Sequence, residues 1–393
     1  MKKYSKEYKM RFVIISDLDF RGSGYFNIVT PLADGLSKLG HEVKIAGLGY
    51  KGEEHTYPFS IIPATNIQET LAITQNLYNV WGFDVLIVAL DIPIQERILL
   101  AIGEHPFKYV GIMPIEADPL CMSWAAVLMQ MDSQWIISKF GTEEAHKAGV
   151  ETAQYFEVGI DTNSWKPPTS EERANLRKGF GFTDEDFVIL TVADNQERKN
   201  LPAAFEAVQL LKKVYGYEHL KYMLVTRENN LVGWKLRDLA DQFDIHGELM
   251  IFERGMPFKE LWALYAMADA FVMSSKAEGL NLPLLEAMAM EVPAIGTGCT
   301  GIKELIGNDN ERGMLVYPEY THIDPFGNGK RYWINASDLA QKLGLSFNST
   351  STDEKVTNAR KFVEDRNWSD TVSTFADEMQ KLIDKDKKDE TKE

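Results

Sequence analysis

The sequence has little cysteine and no long hydrophobic run. Cys121 and Cys299 are its two cysteines in 393 residues, which argues against a disulfide framework or a cysteine metal site and fits a reducing cytoplasm best. The longest apolar runs, such as 85–90, fall far below the roughly 18 residues of a membrane span. The N-terminal lysines lead straight into a strand-like segment, so no signal peptide is predicted. We therefore expect a cytoplasmic protein with at most peripheral membrane contact.

Positive charge is scarce relative to negative charge. Lys and Arg number 42 against 58 Asp and Glu, which gives a formal net charge of −16. Generic nucleic-acid binding needs Lys and Arg in excess on one face, so it is not expected, although a local basic groove stays open. Apolar residues make up 45% and charged residues 25% of the chain, the composition of a folded protein with real cores. Its length predicts two domains.

Strand-like and helix-like segments alternate along the chain. Residues 11–16 (RFVIIS) form an apolar run typical of a buried parallel strand, and the turn 21–24, a helical pattern ending at Gly40 and a second strand follow. The segment 161–185 carries two prolines and predicts an interdomain linker with a short helix. A second alternating series runs over 187–297. The prediction is an α/β protein with two Rossmann-like doubly wound parallel-sheet domains that face a deep ligand-binding cleft.

The segment 276–296 is the most informative for function. Glu278 follows the strand AFVMS, at the carboxyl end of a parallel strand, where α/β sheets bind ligands. Residues 279–282 present backbone amides beside a helix N-terminus with Pro283 in its first turn, a natural site for a diphosphate. Glu286 lies one turn further on, where a carboxylate can accept hydrogen bonds from ribose hydroxyls. A buried unpaired carboxylate is costly, which favours a ligand-facing role over a merely helical one.

These residues resemble a known family. The pattern of Glu278-Gly279, Leu282-Pro283, Glu286-Ala287-Met288-Ala289, Pro293, Gly301 and Glu304-Leu305 resembles the signature of glycosyltransferase family 4 (glycosyl transferases group 1), which includes sucrose synthase and bacterial mannosyltransferases. The resemblance implies the GT-B fold, donor-sugar contact by Glu278 and ribose contact by Glu286. The turn Gly22-Ser23-Gly24 resembles the family's glycine loop, which faces the diphosphate and the acceptor. Taken alone, that turn is equally consistent with a tight turn of purely structural value.

A cation pair is needed near the diphosphate, because the leaving nucleotide develops negative charge. Arg198 and Lys199 are the candidates, in a segment that resembles the family's RKN turn. A solvated pair at a helix start is the alternative, but the helix dipole disfavours cations there and so favours an anionic ligand. The family's strand-end arginine falls near Asp194, which leaves that cation in doubt.

Two further departures from the family concern the sugar side of the site. Asn281 stands where a glycine is usual, and an asparagine can adopt the left-handed backbone conformation in its place. The family's N-terminal histidine is replaced by the segment 114–119. Glu116 or Asp118 can take over its contacts to sugar hydroxyls, or either can cap the following helix.

The resulting predictions are these. The domains are 1–162 on the acceptor side, 163–365 for nucleotide-sugar binding, a helix over 366–382 that packs back on the N-terminal domain, and a disordered charged tail over 383–393. The predicted function is retaining transfer of a hexosyl group from a UDP- or GDP-sugar to a glycan, glycolipid or other hydroxyl-bearing acceptor, with no metal and no further cofactor. The alternative is a catalytically inactive scaffold or regulator that binds nucleotide or glycan, and the oligomeric state stays open. The predicted catalytic residues are Glu278, Arg198 and Lys199, and the predicted donor-binding residues are Gly22, Ser23, Gly24, Gly279, Leu280, Asn281, Leu282, Glu286 and Glu116.

Overall fold

The computed structural model describes residues 9–19, 23–347 and 353–390, and Gly22 of the predicted glycine loop lies outside them. The N-terminal part holds a parallel sheet with seven strands among these residues, in the order β3-β2-β1-β4-β5-β6-β7. In chain order its elements are β1 (Arg11–Asp17), α1 (Phe26–Lys38), β2 (Glu42–Leu48), β3 (Ser60–Ala64), α2 (Ile67–Trp81), β4 (Val85–Ala89), α3 (Ile92–Ile102), β5 (Lys108–Met113), α4 (Met122–Leu128), β6 (Ser133–Ile136), α5 (Lys139–Lys147) and β7 (Gln154–Tyr155).

The C-terminal part repeats this architecture around a parallel sheet with six described strands, in the order β10-β9-β8-β11-β12-β13. Its elements are α6 (Ser170–Gly179), β8 (Phe187–Val192), a 3-10 turn (Glu197–Lys199), α7 (Leu201–Lys213), β9 (Leu220–Thr226), α8 (Leu236–Gln242), β10 (Leu249–Glu253), α9 (Phe258–Met267), β11 (Ala270–Met273), α10 (Leu282–Ala289), β12 (Ala294–Thr297), α11 (Thr300–Ile306), β13 (Met314–Val316), β14 (Pro318–Ile323), β15 (Lys330–Ile334), α12 (Ala336–Ser346), α13 (Glu354–Glu364) and α14 (Trp368–Glu390).

The central strands of both sheets are buried on both faces. Residues 12–15 of β1 and 85–89 of β4 are fully buried, as expected for parallel strands covered by helices on either side. In each sheet the strand order reverses beside the first strand, between β1 and β4 and between β8 and β11. Ligands of doubly wound sheets bind beyond the carboxyl ends of the strands at such reversals. The predicted two-domain α/β architecture is confirmed, and it places the cleft between the two reversal points.

An antiparallel hairpin stands outside both sheets. It consists of β14 and β15, paired from Pro318–Ile334 to Ile323–Lys330, and it lies between β13 and α12. The predicted strand series stopped at 297, so β13 and this hairpin were missed. Their apolar residues alternate too irregularly with polar ones to suggest strands from the sequence.

Helix α14 returns to the N-terminal domain. The methyl groups of Val372 press on Gly35 in α1, where an added Cβ would lie 2.6 Å from Val372 Cγ2, and the ring centroid of Phe375 is 5.0 Å from that of Trp135. The helix also continues to Glu390, so the tail predicted to be disordered is helical over 383–390, while 391–393 lie outside the described residues. Burial of Met379 and Ile383 prolongs the apolar helical stripe past the predicted end. Helices long and apolar enough to cross a bilayer do not occur in the described part of the chain.

Candidate active site

A cleft of about 1990 Å³ opens between the carboxyl edges of the two sheets. Both domains line it, and each predicted site residue within the described ranges is at its surface. These residues are Ser23, Gly24 and Glu116 from the N-terminal domain, and Arg198, Lys199, Glu278, Gly279, Leu280, Asn281, Leu282 and Glu286 from the C-terminal domain. The structure therefore collects residues that are up to 263 positions apart, from Ser23 to Glu286.

An ion cluster centred on Glu278 forms the floor of the cleft. Glu278 follows β11, and Arg198 and Lys199 lie in the 3-10 turn after β8; because β8 and β11 are neighbours, their carboxyl ends meet. Lys199 Nζ lies 2.6 Å from Glu278 Oε1, and Arg198 Nη1 lies 2.9 Å from Oε2. Arg198 also donates to the carbonyl of Ala277 at 2.7 Å. The two predicted cations thus share the predicted sugar-side carboxylate.

Glu116 extends this cluster across the cleft. It follows β5 of the N-terminal domain, and its Oε2 lies 3.1 Å from Arg198 Nη1 while its Oε1 lies 3.2 Å from Arg331 Nη2. Asp118 instead pairs with Lys330 at 3.4 Å and accepts a hydrogen bond from the Tyr332 hydroxyl. The following helix α4 begins after Cys121 without a side-chain cap, so the capping alternative is wrong for both carboxylates. Of the two candidates, Glu116 is the one that joins the cluster.

The two cluster carboxylates differ in their electrostatics. Burial opposes ionisation of Glu278, but Lys199 and Arg198 outweigh it and lower the pKa of Glu278 to about 2. Burial raises the pKa of Glu116 above its ordinary value, and Arg198 and Arg331 only partly offset that rise. Glu278 is therefore a firm anion that holds two cations, whereas the charge of Glu116 depends on its arginine neighbours.

Glu286 occupies a different environment, one turn inside α10. Pro283 lies in the first turn of that helix, and Asn281 caps it, with its side chain accepting from Leu284 N at 3.0 Å and its φ at 98°. The left-handed conformation expected of Asn281 is therefore present. Glu286 is 8% exposed, and its carboxylate accepts a hydrogen bond of 2.7 Å from the Tyr265 hydroxyl. Burial raises the pKa of Glu286 to about 7, although the Tyr265 hydrogen bond lowers it.

Two glycines of the motif permit close backbone approach. A Cβ on Gly279 would lie 2.4 Å from Pro114 Cβ of the other domain, and one on Gly301 would lie 2.9 Å from the Gly279 carbonyl oxygen. Gly24 faces Leu282 across the cleft with more room, since its added Cβ would lie 3.8 Å from Leu282 Cδ1. Sterics therefore require glycine at 279 and 301 but leave the predicted role of Gly24 open.

Two further arginines that were not among the predicted site residues line the cleft. Arg227 directly follows β9 and Arg254 directly follows β10, and both line the cleft. Arg227 binds Asp194 with two hydrogen bonds, the one from Nε at 2.7 Å, and Arg254 Nη1 lies 3.5 Å from the same carboxylate. Asp194, near which the resemblance places the family's arginine, thus pairs with two other arginines. The strand-end rule that located Glu278 could have found them.

The family and the relatives that match this chain are all glycosyltransferases. Residues 172–345 match the family of glycosyl transferases group 1. The putative glycosyltransferase EpsD of Bacillus subtilis is 28% identical over 245 residues, which are 62% of this chain and 58% of EpsD. The serotype-specific mannosyltransferase WbdA of Escherichia coli is 29% identical over 139 residues, 35% of this chain and 17% of WbdA. The chain therefore spans little more than half of EpsD and a smaller part of WbdA.

A solved structure shows the same fold over nearly the whole chain. HepE of Anabaena, determined in complex with UDP and glucose, has a TM-score of 0.74 at 14% identity and covers 95% of this chain and 100% of its own. At that identity the similarity concerns the fold alone.

Proposed function

We propose that this chain is a retaining glycosyltransferase, because its residues 172–345 match the glycosyl transferases group 1 and the chain has the GT-B fold. It moves a hexosyl group from a UDP- or GDP-sugar to an acceptor hydroxyl. The observation that carries this proposal is the cluster in which Arg198 and Lys199 share Glu278 at the floor of the interdomain cleft. Two adjacent cations beside a helix N-terminus are the groups that a diphosphate requires.

Donor binding exchanges partners within this cluster. The Glu278 carboxylate now lies beside both cations, where phosphate oxygens would lie in the donor complex. The diphosphate takes over Arg198 and Lys199, and the Glu278 carboxylate is then available to accept hydrogen bonds from the sugar hydroxyls. Ribose hydroxyls bind Glu286, whose carboxylate has a single described side-chain donor, Tyr265. The backbone amides of 279–282 add donors at the start of α10.

The chemical step exchanges one bond of the anomeric carbon for another and moves one proton. The acceptor oxygen bonds to the anomeric carbon on the face from which the diphosphate leaves, so the configuration is retained. The bond from the anomeric carbon to the phosphate oxygen breaks with its electron pair on that oxygen, which accepts the proton of the acceptor hydroxyl. Arg198 and Lys199 stabilise the charge that develops there. No step requires a metal ion, and metal independence stays a prediction.

The two proposed donor classes, UDP-sugars and GDP-sugars, each have support from a similar protein. HepE was solved with UDP and glucose, whereas a mannosyltransferase of Mycolicibacterium smegmatis that is 26% identical over 200 residues is named GDP-mannose-dependent, so both a UDP-sugar and a GDP-sugar are candidates. A panel of UDP-glucose, UDP-galactose, UDP-N-acetylglucosamine and GDP-mannose, incubated without acceptor, tests this by measuring release of UDP or GDP. We expect slow hydrolysis of one donor and, by NMR before the released sugar mutarotates, a product of unchanged anomeric configuration.

Two other outcomes have distinct meanings. Tight binding of a nucleotide sugar with no release, even with candidate acceptors present, would favour the inactive scaffold; the replacement of the family's arginine by Asp194 is the observation behind that alternative. If the protein binds no donor on the panel and releases no UDP or GDP from any of them, the proposed function is refuted.

A further inference from the structure

The backbone of the β14–β15 hairpin is hydrogen-bonded to both domains. Lys330 N donates to the carbonyl oxygen of Asp118 in the N-terminal domain at 2.9 Å, and Tyr332 N donates to the carbonyl oxygen of Lys276 in the C-terminal domain at 2.9 Å. Arg331 is the residue between these two anchors. The backbone on either side of Arg331 is therefore bonded to both domains.

Arg331 is buried in a way that stability alone does not explain. The residue is 3% exposed, and its Nε and Nη1 are buried with no hydrogen-bond partner among the described residues. Its Nη2 lies 3.2 Å from Glu116 Oε1 and 3.5 Å from Asp324 Oδ1. Buried donors without acceptors are destabilising, so a residue selected for stability alone would satisfy them. Arg331 instead forms an ion pair with Glu116, a carboxylate of the cleft.

Glu116 is shared between two arginines that have different fates in the proposed reaction. Arg198 binds its Oε2 at 3.1 Å, but the proposed function gives Arg198 to the diphosphate of the donor. Arg331 binds Oε1 and has no such competing duty. Once the donor is bound, Arg331 is therefore the cation that stays with Glu116, and Oε2 becomes available to a sugar hydroxyl.

We propose that Arg331 is a positioning residue that keeps Glu116 ionised and turned toward the donor sugar. This inference rests on the proposed function, because it assigns Glu116 to sugar hydroxyls. Without Arg331, a buried Glu116 carboxylate would face an occupied Arg198 and would take up a proton, losing acceptor capacity on one oxygen.

The groups around Glu116 decide the sign of the pH effect. Arg198 and Lys199 face it from the 3-10 turn, Arg331 from β15, Glu278 from the loop after β11, Tyr25 from the start of α1 and Cys299 from the start of α11. Burial raises the pKa of Glu116, and the arginines lower it. Loss of Arg331 therefore raises that pKa further, so activity is lost at a higher pH as the solution is acidified.

The test compares pH profiles of kcat/KM for donor turnover in the full-length protein. For Arg331→Gln we expect the acidic limb to move to higher pH by about one unit, so that the loss relative to the unaltered protein grows as the pH falls and approaches about tenfold below the limb. Arg331→Lys, which keeps the charge, should move the limb less. Lys330→Gln is the matched control, since it removes a cation from the same strand that pairs with Asp118 rather than Glu116.

A second background isolates the role of Glu116. In Glu116→Gln, adding Arg331→Gln should no longer move the acidic limb, because the group on which the arginine acts is absent; the limb due to Glu286 remains in all variants. An equal loss for Arg331→Gln at every pH, or the same limb shift with and without Glu116, would overturn the proposal and leave Arg331 a structural residue.

Failure of the proposed function can be told apart from failure of this inference. If no nucleotide sugar is turned over, the pair can still be measured in urea-unfolding midpoints of the two single variants and the double variant. The midpoint shifts should be non-additive if Arg331 and Glu116 interact as proposed. Additive shifts would refute the pairing whatever the enzyme's donor turns out to be.

Discussion

The buried carboxyl group of Glu286 offers a test that needs no substrate. Its pKa is raised from an ordinary value of 4.5 to about 7, first because of burial, and the Tyr265 hydroxyl is its described donor at 2.7 Å. The unfolded chain ionises this group at a lower pH than the folded chain does. Stability associated with Glu286 is therefore greatest below about pH 4.5 and is lost as the pH rises toward 7.

Replacement by glutamine removes this pH-dependent cost while it keeps the size of the side chain. A pKa difference of this size corresponds to roughly 3 kcal/mol, at about 1.4 kcal/mol per pH unit. We expect Glu286→Gln to unfold at higher urea concentration than the unaltered protein at pH 8. The advantage in unfolding free energy should grow by roughly 2 kcal/mol between pH 5.5 and pH 8.

The assay is equilibrium urea unfolding, followed by tryptophan fluorescence at several pH values. Glu206→Gln, which removes an exposed glutamate of α7, controls for the loss of one negative charge. A stability difference that stays constant with pH, or one that shrinks as the pH rises, would refute the reasoning. In the same variant, the affinity for UDP or GDP should lose its increase between pH 6 and pH 8, because ribose hydroxyls require the ionised carboxylate.

Three further predictions concern the cleft. Gly279→Ala would place a Cβ 2.4 Å from Pro114 Cβ, so it should separate the domains and lower kcat/KM by about tenfold or more. The separation should appear as a larger radius of gyration in small-angle scattering. Gly247→Ala, whose added Cβ meets nothing within 4 Å, is the control and should change neither quantity. Lys199→Ala should mainly lower kcat and Glu286→Ala should mainly raise the donor KM; equal and negligible effects of both in steady-state assays would contradict the site assignment. Asp194→Asn should release Arg227 and Arg254 and tighten UDP or GDP binding by roughly threefold or more in calorimetry, and unchanged affinity would mean that neither arginine reaches the nucleotide.

Most of the fold could be predicted because its signals are local. Continuous apolar runs such as 11–16 and 85–89 become central parallel strands, and the glycines and prolines between them mark the turns. The end of α14 and the β14–β15 hairpin could not be predicted in this way. Met379 and Ile383 are buried, but the charged residues after 383 made this end of the helix look like a disordered tail. The hairpin is held by contacts to residues far away in the sequence.

The candidate site also has features that local sequence signals predict and features that depend on long-range contacts. The motif alone places Glu278 at a strand end and Glu286 one turn into a helix, because both positions follow from spacing along the chain. It predicts that Arg198 and Lys199 lie near a diphosphate, but not that they hold Glu278 before one arrives. The motif also leaves Glu116 and Asp118 equivalent, because they carry the same charge. In the structure the two carboxylates have different partners.

By itself, then, the sequence determined the class of fold, the order of its elements and the residue types of a donor site, since periodicity and strand-end position depend on near neighbours. Only the tertiary structure decided which charges meet. Arg331 reaches Glu116 because a hairpin binds both domains, and Arg227 and Arg254 reach Asp194 because three parallel strands end side by side. Such pairings depend on distances of a few ångströms between segments far apart in the chain, which spacing along the sequence does not contain.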